Sequence, residues 1–173
     1  YYHLAAGNLL SRLGRPGEGI NQLEVVINGG ALSAMPLRFR ARAFADCGEA
    51  WRLLGEAPLA SRYLAKAEAI QRQNRFVAEL ADFTLASKAK LETDPAVARA
   101  CLTEAMVIQT ECSTPVSRAR SILLDARISG PGGGGRQQRE ILSKLMENTP
   151  VLARDDTLRR ILLNWGSWIG GGP

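Results

Sequence analysis

The sequence predicts an all-α chain, and three observations carry that expectation. Alanine, leucine and arginine dominate while β-branched and aromatic residues are sparse, the aromatics at only 6%, so intrinsic preference favours helix over strand. Apolar residues recur at three- and four-residue spacing along most of the chain, the period of one helix face. Prolines stand at the starts of these runs and glycines just past several of their ends, the asymmetry expected of helix boundaries. With 173 residues, 46% of them hydrophobic, the chain has enough apolar surface for a substantial core. It reads as one domain or one array.

The first two helices lie in residues 1 to 30. His3, Ala6, Gly7 and Leu10 share a face that ends at Gly14, and Pro16 opens a second run carrying Gly19, Leu23 and Val26 before Gly29-Gly30. Ser33 to Pro36 starts the next helix. Residues 36 to 72 are the clearest stretch. Phe44, Cys47, Gly48 and Trp51 precede a turn at Gly55, where a left-handed backbone is needed, and Pro58 then leads a helix with Ala60, Leu64 and Ala67. Large Phe44, Trp51 and Leu64 are expected to fill the space between the helices, with Gly48, Ala60 and Ala67 where backbones approach.

The same offsets return in residues 74 to 110, through Leu85, Ala86, Ala89, Ala98, Leu102 and Ala105, with Asp94-Pro95 as N-cap and first helical residue. Here Thr93 replaces the turn glycine. Residues 114 to 148 begin at Thr114-Pro115, carry Ala119, Ile122, Leu123 and Ala126, and reach Gly130. The glycine-rich PGGGG then lengthens the turn before Leu142 and Leu145 resume the pattern. A last helix, 150 to 168, starts at Thr149-Pro150 and carries Leu158, Ile161, Leu162 and Trp165. The turn positions Gly14, Gly55, Thr93 and Gly130 are spaced by 41, 38 and 37 residues.

This pattern resembles the tetratricopeptide repeat, a helix–turn–helix unit of about 34 residues, in the expanded form found in bacterial signalling and regulatory proteins. The resemblance implies a right-handed α-α superhelical solenoid. Four helix pairs (1–30, 36–72, 74–110, 114–148) and a capping helix (150–168) would then form a single domain over residues 1–173. It further implies a non-catalytic protein- or peptide-binding scaffold, the interaction or sensor arm of a larger regulatory protein. A chain that opens at Tyr1 within an apolar-periodic run fits a piece of such a protein.

In that family the first helix of each pair lines an inner groove. Carried onto this sequence, the groove presents Asn8 and Arg12, then Arg42, Glu49 and Arg52, then Phe83, Ser87 and Lys90, then Arg120 and Arg127. The balance is basic, which suits an acidic peptide or a carboxylate held by charge-assisted hydrogen bonds, with Phe83 as an apolar contact. The lysine-plus-asparagine clamp of chaperone-binding relatives is not reproduced, because Ala45 and Glu49 occupy its places in the central unit.

Other chemistry is poorly supported. The stretch Gly130 to Gly135 satisfies GxGxxG, but the segment before it is helical rather than a strand, so a phosphate-binding fingerprint is rejected. Arg136 and Arg139 follow it and read as solvent-exposed. His3 is the sole histidine, so a Ser/His/Asp triad or Cys/His dyad could be built only on it, no serine motif such as GxSxG appears, and it is expected to pack. Asp155-Asp156 are expected in a helix first turn. Cys47, Cys101 and Cys112 form no ligand pattern, so neither a metal nor a cofactor is expected. No run suits a membrane span or signal peptide, and with the cysteines this points to the cytoplasm. A net charge of +5 is spread over helices and diluted by acids, which makes nucleic acid an unexpected partner. Alternatives kept open are a phosphate-sensing arm using the basic groove and a helical module that oligomerises through its end helices.

Overall fold

A computed structural model describes residues 1–73, 81–112 and 114–170. All regular structure among the described residues is helical, and no helix there is long and apolar enough to cross a membrane. The chain divides into two compact units, Tyr1–Glu92 and Thr93–Pro173. The division falls inside the third stretch delineated from sequence, whose opening residues 74–80 lie outside the described residues.

The first unit contains α1 (Tyr2–Arg12), α2 (Pro16–Asn28), the single turn α3 (Ala31–Ala34), α4 (Leu37–Leu53), α5 (Ala57–Gln73) and α6 (Ala81–Ala89). Apart from the short α3, each helix packs on the next, and α4 also touches both α1 and α6. That central position explains the composition of α4. Ala41, Ala43, Ala45, Asp46, Cys47, Gly48 and Ala50 are all buried, on several faces of one helix, and only small side chains allow neighbours to close in from all those directions. The core below it gathers Leu4, Leu23, Val26, Ala43 and Cys47.

Two contacts set the helix pairing. A Cβ on Gly7 of α1 would meet Leu23 Cγ at 2.5 Å, and one on Gly48 of α4 would meet Leu64 Cγ at 2.7 Å. The two glycines are 41 residues apart, as are the two leucines, so the same glycine–leucine contact is used twice. The turns repeat as well. Gly14, Gly55 and Gly130 have positive φ, and at Gly55 (φ +83°) the left-handed residue lets the Glu56 amide reach back to the Trp51 carbonyl at 3.0 Å, closing the end of α4. Arg15 does the same to Leu10 at 2.9 Å.

Two expectations are revised here. Leu64 is fully buried, but Phe44 and Trp51 are only half-buried. Trp51 packs on the edge of the core, while Phe44 lies over Tyr63 with the Lys66 ammonium 5.4 Å from its ring. The closest approach of α4 to α5 is made instead by Leu64 against Gly48.

The second unit contains α7 (Pro95–Cys112), α8 (Pro115–Ser129), α9 (Gly133–Glu147), α10 (Pro150–Ala153), α11 (Asp156–Leu163) and α12 (Trp165–Ile169). Helix α8 packs on α7 and α9, and α10 returns to α9. Ile122, Leu142, Met146, Leu152, Leu158 and Trp165 are among its core residues. Asp94 caps α7 through Ala96 N at 2.8 Å, and Thr114 caps α8, as their sequences suggest. The expected helix over 150–168 is instead three pieces. Asp155 turns its carboxylate onto the amides of Thr157 and Leu158, and a side chain that satisfies those donors starts a new helix rather than continuing an old one. The glycine-rich stretch is also shorter as a loop than expected, since α9 begins at Gly133.

Candidate functional site

The residues expected to line an inner face were chosen by repeat offset alone, and those of the first unit are brought together. From α1, Asn8 donates its side-chain amide to Asp46 Oδ1 at 2.8 Å. From α4, Arg42 Nε donates to the other oxygen, Oδ2, at 2.8 Å. The guanidinium of Arg42 in turn lies over the Phe83 ring of α6, 5.1 Å from its centroid, a cation–π contact. Three helices are thus joined through one carboxylate and one arginine.

One turn further along α4, Glu49 receives Arg52 through both of its oxygens, at 2.8 and 2.9 Å. Lys90, just past the end of α6, reaches the same carboxylate at 3.3 Å. Burial opposes ionisation of Glu49, but the Arg52 hydrogen bonds and the charges of Lys90 and Arg52, with help from the Ser87 hydroxyl, outweigh it and hold the pKa below the usual carboxylate value. Asp46 has the opposite balance. Its side chain is only 2% exposed, and burial raises its pKa despite Arg42, Asn8 and the more distant charge of Arg12. Arg12 itself is exposed.

The expected residues of the first unit therefore fall into two clusters on α4: Asn8 and Arg42 on Asp46, with Phe83 against Arg42 and the charge of Arg12 acting on Asp46, and Arg52, Lys90 and Ser87 around Glu49. Arg120 and Arg127 belong to the second unit, where Arg120 is exposed and the Arg127 guanidinium lies 4.6 Å over Trp168. Sequence reasoning missed Asp46, one of the acids that enter it only as dilution of the net positive charge. The signal was present: Asp46 stands four residues after Arg42, the spacing at which two side chains meet on one helix face. Its burial came from α1, which no spacing within α4 reveals.

The remaining candidates have structural roles. The His3 ring pairs through Nδ1 with Gln22 Oε1 at 2.7 Å, tying α1 to α2. The segment before the glycine-rich stretch is helix α8, so the strand a dinucleotide fingerprint requires is lacking there. Arg139 donates to the Leu162 carbonyl at 3.3 Å, and Arg136 is exposed. Cys47 is buried beside Trp51 and Tyr63, and desolvation is the main cause that pushes its thiol up to about 12. No group of three or more potential metal ligands exists among the described residues.

In comparison with known proteins, no family model, no curated protein and no solved structure matches the chain.

Proposed function

We propose that this chain is a helical-repeat interaction scaffold of the tetratricopeptide type, a right-handed solenoid whose successive first helices present a polar inner face to a peptide segment of a partner protein. On this reading it has no catalysis of its own and serves in the cytoplasm as the arm of a larger regulatory protein. The observation that carries the proposal is the linked array on α1, α4 and α6. Residues picked by repeat offset meet between α4 and α6, Arg42 with Phe83 and Glu49 with Lys90, Asn8 of α1 joins them through Asp46, and the repeated Gly7–Leu23 and Gly48–Leu64 contacts support a repeat that copies its packing.

The array suits recognition because its cations are already held in place. Glu49 and Asp46 fix Arg52 and Arg42 by short hydrogen bonds, so less side-chain entropy is lost when a ligand arrives. Arg12, Arg42, Arg52 and Lys90 outnumber those two carboxylates, which favours a segment with acidic residues. Phe83 supplies an apolar contact beside them.

The test is selection of a random peptide display library on the whole chain, followed by affinity measurement on wild type and on an Arg12→Glu/Lys90→Glu variant. Both positions are exposed, and circular dichroism checks that the variant is folded. Acidic peptides carrying an apolar residue, bound at least about tenfold more weakly by the variant, are the expected result. Enrichment of no peptide, or equal binding by both proteins, overturns the proposal.

A further inference from the structure

The first unit also holds an open cleft of about 490 Å3 between α1 and the opening turns of α4, within the size range of small-molecule sites. One wall is apolar: Leu4, Phe39 and Tyr1 line it, and the Tyr1 and Phe39 rings meet edge to face with centroids 4.7 Å apart. The other side is polar and cationic, with Asn8, Arg38 and Arg42.

Three observations give that side a net positive potential. Arg42 spends only Nε on Asp46, and its two terminal nitrogens have no hydrogen-bond partner among the described residues. Arg38 rests its guanidinium on the Phe39 ring at 4.6 Å and has no ion pair among the described residues. The α4 N-terminus that carries Arg38 and Phe39 has neither a side-chain cap nor an acidic residue in its first turn, and the amides of Leu37 and Arg38 donate to no backbone acceptor there. The first turn of a long helix left in that condition attracts negative charge. Asp46, the one acid lining the cleft, is the ion-pair partner of Arg42 and stands about two turns along α4 from Arg38, so Arg38 and the helix end keep no counter-charge in the cleft.

We propose that this cleft binds a small organic anion, a single carboxylate or phosphate carried on an aromatic or branched apolar body. The anionic head would take the Arg38 and Arg42 forks, which match either oxyanion, and the body would lie against Leu4, Phe39 and Tyr1. This site does not rest on peptide capture by the inner face, although Asn8 and Arg42 border both.

The test is a titration of the isotope-labelled chain, followed by amide NMR, with phenylacetate, phenyl phosphate, neutral phenylacetamide, acetate and inorganic phosphate. Saturable shifts at Leu37, Arg38 and Phe39 with phenylacetate or phenyl phosphate, and much weaker effects from the amide and from the two bare anions, are expected. The tighter of the two aromatic anions identifies the head group. Arg38→Glu, at an exposed position, is expected to weaken binding at least about tenfold, since it removes a charged hydrogen-bond donor, while Arg62→Glu on α5 leaves it unchanged. Absence of saturable shifts, equal binding of the neutral amide or of the bare anions, or wild-type affinity in Arg38→Glu overturns the proposal.

Discussion

Gly48 and Leu64 meet so closely that a methyl group on the glycine would lie 2.7 Å from Leu64 Cγ and 3.1 Å from the Leu64 amide nitrogen. The second contact is with backbone, so a rotamer change in Leu64 does not relieve it. Alanine is the better helix former by about 1 kcal/mol, yet here overpacking outweighs propensity. Gly48→Ala is expected to destabilise the chain by about 1–3 kcal/mol, measured by urea unfolding. Leu64→Ala costs about 2–5 kcal/mol alone, and the double variant should cost less than the two together, because each change relieves the other's defect. Additive losses would show that α4 and α5 do not meet at this pair.

How far the sequence revealed this arrangement depended on the kind of contact. Gly48, Leu64 and Gly55 were legible because their roles follow from local spacing and backbone geometry. Phe44 and Trp51 are the exception, because size alone does not imply burial: the buried faces of α4 carry small residues, and both rings stay at the margin. Asp46 needed a partner on another helix, 38 residues away in Asn8, to become part of the site. The first break within residues 150–168 turns on Asp155, whose acid can serve a first turn or a cap, and only the backbone path decides between them.

Asp46 and Glu49 stand on the same helix with pKa values displaced in opposite directions, so they give stability opposite pH slopes. Burial holds the Asp46 pKa above its ordinary 3.8. The folded chain keeps that proton where the unfolded chain has lost it, and stability from this group falls as pH rises from about 3.8 through the higher folded value. Glu49 lies below its ordinary 4.5. Its stabilisation is complete above 4.5 and is lost as pH falls through the lower folded value. Urea titrations across this range should show that Asp46→Asn removes the decline with rising pH. Glu49→Gln should lower stability at neutral pH and have little effect in strong acid. Matching slopes in the two variants would contradict the assignment.

The Cys47 thiol is expected to be unreactive in the folded chain. Fully buried and with a pKa near 12, it has almost no thiolate at mildly alkaline pH, and the thiolate is the nucleophile. Iodoacetamide labelling followed by peptide mapping should find Cys47 unmodified in buffer and modified in urea, while Cys101, which is half-buried, reacts earlier. The Cys47 labelling rate at intermediate urea then reports opening of the first unit. Prompt modification in buffer would mean that α4 does not shield this side chain.

In the second unit, the Trp165 indole donates Nε1–H to the Gly135 carbonyl at 3.0 Å in a buried bond, which ties α12 to the first turn of α9. Trp165→Phe keeps most of the ring but leaves that carbonyl without its donor, a loss of about 1–3 kcal/mol. Trp168 is half-buried and its ring carries the Arg127 guanidinium. There Trp168→Phe weakens a partly exposed cation–π contact, a loss of about 0.5–1 kcal/mol or less. Urea unfolding followed by circular dichroism, which needs neither tryptophan as a probe, should therefore rank Trp165→Phe as the more damaging change. The reverse order would mean that the end of the chain is held by the face of Trp168 and not by the buried hydrogen bond.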